Sequence, residues 1–441
     1  MVKVALIGAG SGTFAQNVVT DILAIEGLDD GTFALVDLGT QRLELSQAVA
    51  EQVIQTAGRH WTVQATTDRR SVLPGCDYVF NMIEVGGPEN TQLDYEIPLR
   101  YGVEQCIADT IGPGGIFKYL RTAPPWLAIC RDLEELCPQA LIINYSNPLS
   151  AMTLTALRAT SLHVVGLCQS TILTAYQLAD YVDVPFEEMR YRCAGINHLS
   201  WFVTLERNGE DLYPRLRRVA ESADIYEQEP VRFDLMRAFG YFTTESSGHT
   251  SEYVPYFRKR RDLIDHYVGI QPDCVGGARA RNWPRERAER EERLRDYLER
   301  ERRGERAFYL ERSLDAGSFV IEGHALNRPQ MIHGNVRNSG LIENLPSDGC
   351  VEVPCLVDKN GVQPLYFGTL PAPLAALDAA HMVVHNLLVQ ALLNEEREAA
   401  VQALMLDPLT AAVCSLAEIR QMFDEMAAAQ QAYLPHFINP T

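Results

Sequence analysis

The sequence predicts an α/β protein, with a Rossmann-like doubly wound parallel sheet followed by a tightly packed α+β C-terminal domain. Two observations predict this fold class. Short apolar runs rich in β-branched residues alternate with longer segments of helical spacing through the first half of the chain, and no repeat or low-complexity linker separates the two halves. We therefore expect one domain over residues 1–195 and a second, packed closely against it, over residues 196–441.

The predicted strands are the apolar runs KVALIGAG, TFALVDL, YVFNMIEV, ALIINYSN and HVVGLC. Between them lie segments with helical periodicity, such as FAQNVVTDILAIE and LAICRDLEELC. A repeated strand–helix–strand order gives a parallel sheet with helices on its faces. Farther on, residues 281–306 alternate in charge sign, which is typical of a solvated helix, and the chain beyond about Pro371 has a helical pattern.

The first strand ends in a glycine-rich turn that is typical of dinucleotide binding. Glycines there let backbone N–H groups approach a diphosphate at a helix N-terminus, and Asp37, which ends the second strand, can bind ribose hydroxyls. An acidic residue in that place favours NAD over NADP. Thr13 replaces the third glycine of the usual pattern. The predicted cofactor-binding residues are Gly8, Gly10, Ser11, Gly12, Thr13, Phe14 and Asp37.

Polar side chains follow other predicted strands, at Glu84, Asn147 and Cys168. Ligands of a doubly wound sheet bind beyond the carboxyl ends of its strands, so these side chains should converge on one crevice. Asp109 lies in a glycine-rich loop, GVEQCIADTIGPGG, whose composition is equally compatible with simple turn chemistry. The stretch GLCQST, which contains Cys168, places a thiol, a carboxamide and two hydroxyls where a buried strand ends.

Composition excludes several classes of protein. A formal net charge of −19 argues against a nucleic-acid or anionic-membrane partner, since phosphate binding requires clustered cations. The N-terminus lacks the pattern of a signal peptide, and we expect no apolar span of the roughly 18 residues that crosses a membrane. We therefore expect a cytoplasmic protein. The ten cysteines show no CxxC pair and are expected to be reduced thiols, mostly in the core.

Two later segments concentrate polar and aromatic side chains. YRCAGINHLSWF carries His198 between apolar neighbours, where a histidine is more often a partly buried core residue than a ligand. TESSGHTSEYVPYF contains His249 and Tyr253 and is also compatible with a loop that packs tyrosines against the sheet. The pair His381 and His385 in HMVVH lacks the glutamate of a zinc-helix motif, so core packing is the better interpretation.

Several motifs in one order resemble glycoside hydrolase family 4, the NAD-dependent glycosidases, and most closely its α-galactosidase (melibiase) members. The motifs are GAGS, IADTIGPGG, NYSNPLSAM, GLCQS, YRCAGINH, YFTTESSGHTSEY and NLPSDGCVEVPCLVDKNGVQPLYFGTLP. The similarity extends from near residue 1 to beyond residue 415, with the charged helix as the least similar part. This family is an exception to the use of two carboxylates by glycosidases.

The resemblance implies a glycosidase that hydrolyses α-galactosides through oxidation and elimination. Bound NAD oxidises C3 of the sugar, which acidifies the C2 proton. A base then removes that proton, the glycosidic oxygen leaves, water adds, and C3 is reduced again. A divalent metal ion, usually manganese in this family, stabilises the negative charge that develops at the C2 and C3 oxygens. The expected cofactors are therefore NAD and a divalent metal, Mn²⁺.

The family's ligands and base map onto residues of this chain. Cys168 and His198 match the metal ligands, which explains a thiol at the end of a strand, because the metal must lie between nicotinamide and sugar. Donor softness alone would favour zinc or iron over manganese. Tyr253, in YVPYF, matches the proton-abstracting base. With an ordinary pKa near 10, a tyrosine needs a nearby cation to act in that role.

Three further residues are predicted to act on the sugar. Asn147 and Asp109 match positions that hold sugar hydroxyls in the family, and His249 is a further candidate for substrate binding. Relatives carry Asp or His after the metal-binding cysteine, whereas this chain has Gln169, which cannot act as a general acid. Either another group, for example His249 or a catalytic Asp109, protonates the leaving oxygen, or the preferred substrate differs from melibiose.

Alternative functions remain at this point. Within the family, α-glucosidase and α-hexuronidase specificities are open, because contacts in the binding pocket determine the choice of sugar. A lactate- or malate-type dehydrogenase would share the sheet but release NADH, and a non-catalytic NAD-binding regulator would need neither the metal nor Tyr253. The expected partner is a small-molecule α-glycoside, and the family implies a homodimer or homotetramer.

Overall fold

The computed structural model describes residues 1–269 and 271–439. Its thirteen strands are β1 (Val2–Ile7), β2 (Asp30–Val36), β3 (His60–Thr66), β4 (Tyr78–Asn81), β5 (Leu141–Asn144), β6 (His163–Gly166), β7 (Arg190–Ile196), β8 (Leu199–Arg207), β9 (Glu210–Asp211), β10 (Phe242–Thr243), β11 (Gln330–Arg337), β12 (Cys350–Asp358) and β13 (Gly361–Pro364).

The α-helices of the described residues are α1 (Thr13–Leu23), α2 (Thr40–Ala57), α3 (Gly87–Arg100), α4 (Gly112–Leu136), α5 (Leu149–Ala159), α6 (Ser170–Tyr181), α7 (Tyr213–Val219), α8 (Ala223–Tyr226), α9 (Pro230–Phe239), α10 (Ser247–Tyr253), α11 (Arg261–Tyr267), α12 (Ala278–Arg302), α13 (Ala316–Leu326), α14 (Ala372–Asn394), α15 (Arg397–Leu406), α16 (Pro408–Val413) and α17 (Leu416–Ala429).

The N-terminal half forms a parallel doubly wound sheet, as the sequence predicts. Its strand order is β3-β2-β1-β4-β5-β6, and every neighbouring pair is parallel. This is the order of a dinucleotide-binding Rossmann fold. The predicted apolar runs form β1, β2, β4, β5 and β6, whereas β3 was not predicted, because its exposed and half-buried residues lack a continuous apolar run.

Antiparallel strands of the C-terminal half extend this sheet. β11 pairs with β6 where Asn335 lies opposite Gly166, and β12, β7, β8 and β10 follow in that order. The added strands and the helices around them confirm the predicted Rossmann-like sheet with an α+β continuation. The predicted domain boundary after residue 195 falls inside β7, which pairs with β8 and β12, and that division of the chain stays a prediction.

Apolar side chains cover both faces of the parallel strands. In β1, Val4 and Leu6 belong to one core cluster and Ala5 and Ile7 to the other, as expected when alternate residues point to opposite faces. The second cluster continues into the C-terminal helices α14, α15 and α17. The sheet is thus packed against apolar side chains on both faces, and this packing fixes the position of its carboxyl edge.

By length and composition, α14 could cross a membrane, which differs from the expectation that no segment would qualify. Half of its most apolar window is buried inside the molecule. Core helices of soluble proteins share both features. His381 and His385 lie on this helix, are buried in it, and fit the predicted role in packing.

The structure joins Cys106 and Cys274 in a disulfide, so the expectation of reduced thiols is wrong for this pair. The two residues are 168 positions apart in sequence, and no spacing pattern could reveal their contact. The free cysteines Cys76 and Cys130 are buried, as expected of core residues, whereas Cys414 is only partly buried.

We predict a pH-dependent stability term from Asp407, which caps α16 and accepts a hydrogen bond from the Gly112 backbone N–H. Burial raises the pKa of Asp407 from 3.8 to about 6, despite the hydrogen bonds from Thr410. Its contribution to stability is therefore fully present below its ordinary pKa and is lost as pH rises through 6. Between pH 4 and pH 8, the wild type should lose about 2 kcal/mol of unfolding free energy relative to Asp407→Asn.

Urea denaturation at the two pH values measures this difference. Thr410→Val is the matched control, because it removes a hydroxyl that donates to Asp407 at 2.6 Å but keeps the titrating carboxyl. That variant should lose at least as much unfolding free energy between the two pH values as the wild type, because the missing hydrogen bond no longer holds the pKa of Asp407 down. Parallel pH profiles for the wild type and Asp407→Asn would contradict the prediction.

Candidate functional site

The glycine turn after β1 lies directly beside Asp37. The Gly10 backbone N–H donates a hydrogen bond of 2.8 Å to Oδ2 of Asp37. A Cβ atom at position 10 would lie 2.6 Å from the same oxygen, so only glycine permits this approach. The carboxylate also accepts from the Gly39 N–H at 2.8 Å, which fixes it at the end of β2.

A cavity of about 780 Å³ opens over this turn. Of the predicted cofactor-binding residues, Gly8, Gly10, Ser11, Thr13, Phe14 and Asp37 line it, and Gly12 is the N-cap of α1. The segment from Met82 to Glu89 lines the cavity as well, as expected for residues that follow the neighbouring strand β4. The turn, the helix N-terminus and the acidic strand end are therefore arranged as a dinucleotide site requires.

The predicted metal ligands Cys168 and His198 are adjacent. Cys168 follows β6, His198 lies in the tight turn between β7 and β8, and the Cys168 Sγ is 3.1 Å from the His198 Nε2. Glu245, between β10 and α10, places a carboxylate oxygen 3.4 Å from the same nitrogen. The three ligand atoms lie within 4.8 Å of one another, and thiolate, imidazole and carboxylate are all metal-binding groups.

The backbone at this cluster adopts unusual conformations. His198 has φ of 65° and Glu245 has φ of 70°, in the left-handed region that side chains other than glycine rarely occupy. Ala108, directly before Asp109, has φ of 52°. Such positions cost of order 1–3 kcal/mol each and persist where the surrounding fold enforces them. The fold therefore keeps unfavourable backbone conformations at the point where these residues come together.

The cluster is electrostatically suited to a cation. Burial would lower the pKa of His198, but Glu245 and Cys168 raise it to about 10. Burial would likewise raise the pKa of Glu245, but the charges of His198 and His249 lower it. Negative groups therefore surround the imidazole, and a divalent cation in contact with them would replace the bound proton.

A chain of hydrogen bonds supports His198 from behind. Its Nδ1 shares a hydrogen bond of 2.9 Å with the Nε2 of His249, and the Nδ1 of His249 lies 3.0 Å from Oε2 of Glu252. Both ring nitrogens of buried His249 are therefore engaged by protein groups. These contacts let His249 orient the imidazole of His198, and its predicted substrate-binding role stays a prediction.

Glu252 also organises the loop that carries Asp109. It accepts backbone hydrogen bonds from Cys106, Ile107 and Ala108 at 2.8, 3.0 and 3.2 Å. Burial would raise the pKa of Glu252, but the His249 hydrogen bond and the nearby positive charges lower it. Glu252 is therefore an ionised carboxylate that is hydrogen-bonded both to the loop before Asp109 and to His249 of the histidine pair.

Asp109 and Asn147 lie together, as predicted. The Asn147 amide donates to Oδ2 of Asp109 at 3.2 Å, and the Lys118 ammonium group approaches the same oxygen at 3.5 Å. Burial would raise the pKa of Asp109, but Lys118 and the histidines lower it well below its ordinary value. An ionised Asp109 can accept hydrogen bonds from sugar hydroxyls and cannot donate a proton to a leaving group.

Tyr253 is buried at the end of α10, and its ring lies 5.2 Å from that of His249. Its hydroxyl has no hydrogen-bond partner among the described residues, and the same holds for both side-chain polar atoms of Asn197. Burial and the negative charges of Glu245 and Asp109 raise the pKa of Tyr253 well above 10. His381 contacts the Tyr253 carbonyl oxygen through its Nε2 at 2.7 Å and so holds this tyrosine in place.

Gln169, the residue after Cys168, bonds to Asp315. Its amide nitrogen donates to Oδ2 of Asp315 at 2.9 Å, and the Tyr145 hydroxyl also bonds to that carboxylate. The Gln169 carboxamide is therefore hydrogen-bonded to Asp315, the residue that caps the N-terminus of α13.

The sequence patterns assigned no role to several residues of the site. Glu245 and Glu252 lie in TESSGHTSEYVPYF, and their spacing from His249 by four and three residues was the available signal. Lys118 lies in α4, the helix after the Asp109 loop, and belongs to no recognisable sequence motif. The contribution of α12 to the cavity also had no local signal, because its charge pattern is that of any solvated helix.

The sequence matches two profiles of one family. The profile of the family 4 glycosyl hydrolases matches residues 3–184, and that of the family 4 glycosyl hydrolase C-terminal domain matches residues 193–410. The chain is 39% identical over 446 residues to an α-galactosidase of Bacillus subtilis (strain 168), covering 99% of this chain and 100% of that one. It is 35% identical over 447 residues to an α-galactosidase of Rhizobium meliloti (strain 1021), covering 99% and 89%.

Solved structures are similar over nearly the whole chain. A Bacillus subtilis protein assigned as a glucosidase superposes with a TM-score of 0.84 at 26% identity, covering 97% of this chain and 99% of that one. A 6-phospho-α-glucosidase from gut microorganisms, in complex with NAD and Mn²⁺, gives a TM-score of 0.81 at 21% identity, covering 98% and 99%.

We predict that Glu252→Gln weakens metal binding at the Cys168–His198–Glu245 cluster. The Glu252 carboxylate accepts from three backbone N–H groups and from His249, whereas a glutamine side chain has only one acceptor oxygen. Its NH₂ group would face one of these N–H donors. Loss of such an outer contact typically costs about 10–100-fold in metal affinity. Electron paramagnetic resonance of free Mn²⁺ during a titration measures the dissociation constant. Glu221→Gln, on an exposed glutamate, should leave it unchanged, and equal affinity in the two variants would contradict the role of Glu252.

Proposed function

The chain belongs to the family 4 glycosyl hydrolases, and from this premise we propose that it hydrolyses α-galactosides with bound NAD and a divalent metal ion, Mn²⁺. The identities of 39% and 35% to two α-galactosidases over the full chain support this choice of sugar. The Mn²⁺ and NAD bound by the 6-phospho-α-glucosidase of the same fold support the choice of cofactors.

One observation carries the proposal. Within the described residues, Cys168, His198 and Glu245 converge to within 4.8 Å beside a buried tyrosine whose hydroxyl has no partner. A purely structural histidine would have no need of a thiol and a carboxylate on the same nitrogen. A metal-binding base site explains all of these groups together.

The residues present fit both cofactors. The glycine turn and Asp37 form a cradle in which a Cβ at position 10 would collide. The cysteine–histidine–glutamate cluster would hold a divalent ion and leave positions open for sugar oxygens. When bound, NAD supplies reversible oxidation at sugar C3, and the metal supplies Lewis acidity at the adjacent oxygens.

The chain's own residues have distinct tasks in this reaction. Ionised Asp109 accepts hydrogen bonds from sugar hydroxyls, and the Asn147 amide donates hydrogen bonds to them. Together they orient the sugar ring. Tyr253 removes the proton from C2 with its Oη. His249 and Glu252 hold the imidazole of His198 in one orientation. Removal of the C2 proton permits elimination of the glycosidic oxygen, which takes a proton from water and leaves as an alcohol. Addition of OH to C1 and of a proton to C2 then completes hydrolysis.

The electrostatics of Tyr253 supports a metal requirement. Burial and the carboxylates of Glu245 and Asp109 raise its pKa, so the tyrosine alone is a very weak base near neutral pH. A base role requires a nearby positive charge that lowers the pKa again. The three-residue cluster, which contributes the carboxylate of Glu245, is where such a charge would bind.

We also propose that the protein acts in the cytoplasm on a small-molecule α-glycoside as a homodimer or homotetramer, without nucleic-acid or membrane partners. The net charge of −19 supports the absence of polyanionic partners. Size-exclusion chromatography with light scattering measures the oligomeric state directly.

A panel of nitrophenyl α-glycosides tests the proposed function. With NAD, Mn²⁺ and a reducing agent that protects the metal-binding thiol, the α-galactoside should be cleaved with the highest kcat/KM. Removal of NAD or of the metal should abolish cleavage, and NADH should not accumulate. A preference for the α-glucoside or the α-glucuronide would move the specificity within the family, and stoichiometric release of NADH would identify a dehydrogenase. Cleavage that survives complete removal of both cofactors would contradict the proposal.

A further inference from the structure

The dinucleotide cavity has an outer wall that the sequence patterns did not indicate. This wall belongs to α12, the helix of alternating charge. Five of its residues line the same cavity as the glycine turn after β1, namely Trp283, Arg287, Arg290, Glu291 and Leu294. A helix that served only solubility would direct its charged residues to water on every side.

Buried apolar contacts anchor α12 at two points. Ala280 packs with Tyr95 of α3 and with Ala108, next to Asp109. Leu294 is 2% exposed, and its Cδ1 lies 3.0 Å from where a Cβ would stand on Gly12. The helix also packs on α2 and α3. Between the two anchors it crosses the cavity over 14 residues, which is about 21 Å.

The inward face of α12 is apolar at the two anchors and charged between them. Ala280, Arg287, Glu291, Leu294 and Leu298 follow one another at intervals of seven, four, three and four residues, so they share one side of the helix. The positions at the anchors are apolar and buried. Arg287 and Glu291, between them, are about a quarter exposed in their side chains and face the cavity.

The guanidinium groups of Arg287 and Arg290 keep their donors available. Arg287 approaches Glu291 at 3.8 Å and Arg290 approaches Glu286 at 3.7 Å, which are longer than hydrogen bonds. By contrast, Arg69 of the same cavity donates to Asp132 at 2.6 Å. Within the described part of the chain, the two arginines of α12 thus make no hydrogen bond that a ligand would have to break.

We propose that α12 is part of the cofactor site and that Arg287 and Arg290 bind the diphosphate of NAD from the side opposite the glycine turn. The inference rests on the proposed NAD dependence. A diphosphate lies at the N-terminus of the first helix, and Leu294 touches Gly12, the N-cap of that helix. Arg290 and Arg287 precede Leu294 by one and two turns on the same side, about 6 and 10 Å along the axis.

The charge balance of the cavity favours such cations, in addition to Arg42 and Arg69, which also line it. Asp37, Glu84, Glu89 and Glu291 line it, and the whole chain carries a net charge of −19. A diphosphate in these surroundings would be repelled unless arginines compensated for the carboxylates. Because these arginines belong to a helix that closes over the cofactor, bound NAD would also be retained between turnovers.

Isothermal titration of nucleotide-free protein tests the proposal with three ligands: NAD, ADP and adenosine. Arg287→Gln/Arg290→Gln should weaken NAD and ADP by at least about 30-fold, since hydrogen bonds to charged groups are lost, and leave adenosine unaffected. The control Arg285→Gln/Arg293→Gln makes the same change of charge on exposed residues of the same helix and should bind all three ligands as the wild type does. NAD should also protect α12 of the wild type from trypsin.

The outcomes separate this inference from the proposed function. If wild-type protein binds NAD but the inner variant binds it equally well, α12 is not a diphosphate-binding element and the proposed function stands. If the inner variant and the control lose affinity alike, the effect is one of general charge, which also overturns the inference. If wild-type protein does not bind NAD, the proposed cofactor itself is wrong.

Discussion

The buried carboxylate of Glu252 is the interaction on which the site depends. It accepts three backbone hydrogen bonds from the loop before Asp109 and one from His249, which in turn contacts His198. One side chain thereby joins the segment that is proposed to hold the sugar to the histidine that is proposed to hold the metal. Removing an ionised group from water costs several kcal/mol, and four donors compensate for that cost.

The sheet explains why these elements meet. The glycine turn, Asp37, Asn147 and Cys168 stand at the carboxyl edge of the parallel strands, where a doubly wound fold binds its ligands. His198 and Glu245 come from the antiparallel strands of the C-terminal half. The halves join where β11 pairs with β6 at Gly166, and a Cβ there would lie 2.5 Å from the Thr153 hydroxyl. Cys168 follows this junction by two residues, so thiol and histidine meet where the halves of the sheet join.

Much of this arrangement could be predicted from sequence, for identifiable reasons. The apolar runs of β1, β2, β4, β5 and β6 and the glycine turn are local patterns, and they gave the fold class and the dinucleotide site. Cys168, His198 and Tyr253 carry little local signal and were found through the resemblance to a family. The structure brings them into one neighbourhood, although their individual roles stay predictions.

The remaining features depend on contacts between residues distant in sequence. The disulfide between Cys106 and Cys274, the wall formed by α12 and the Glu252 hydrogen bonds are of this kind. His249 shows the same limit, because its residue type suggested a sugar contact, whereas only the fold shows that both of its ring nitrogens have protein partners. The sequence showed which groups were present, and the fold determined which of them faced each other.

The central claim is that the glycosidic bond breaks after proton removal at C2 by Tyr253, and exchange with solvent at C2 tests it most directly. Hydrolysis of an α-galactoside in heavy water, followed by NMR of the released galactose, should show deuterium at C2 for the wild type. The same incubation with Tyr253→Phe should give far less product and no labelling of recovered substrate, while NAD and Mn²⁺ still bind. Galactose released by the wild type with protium only at C2 would contradict the account.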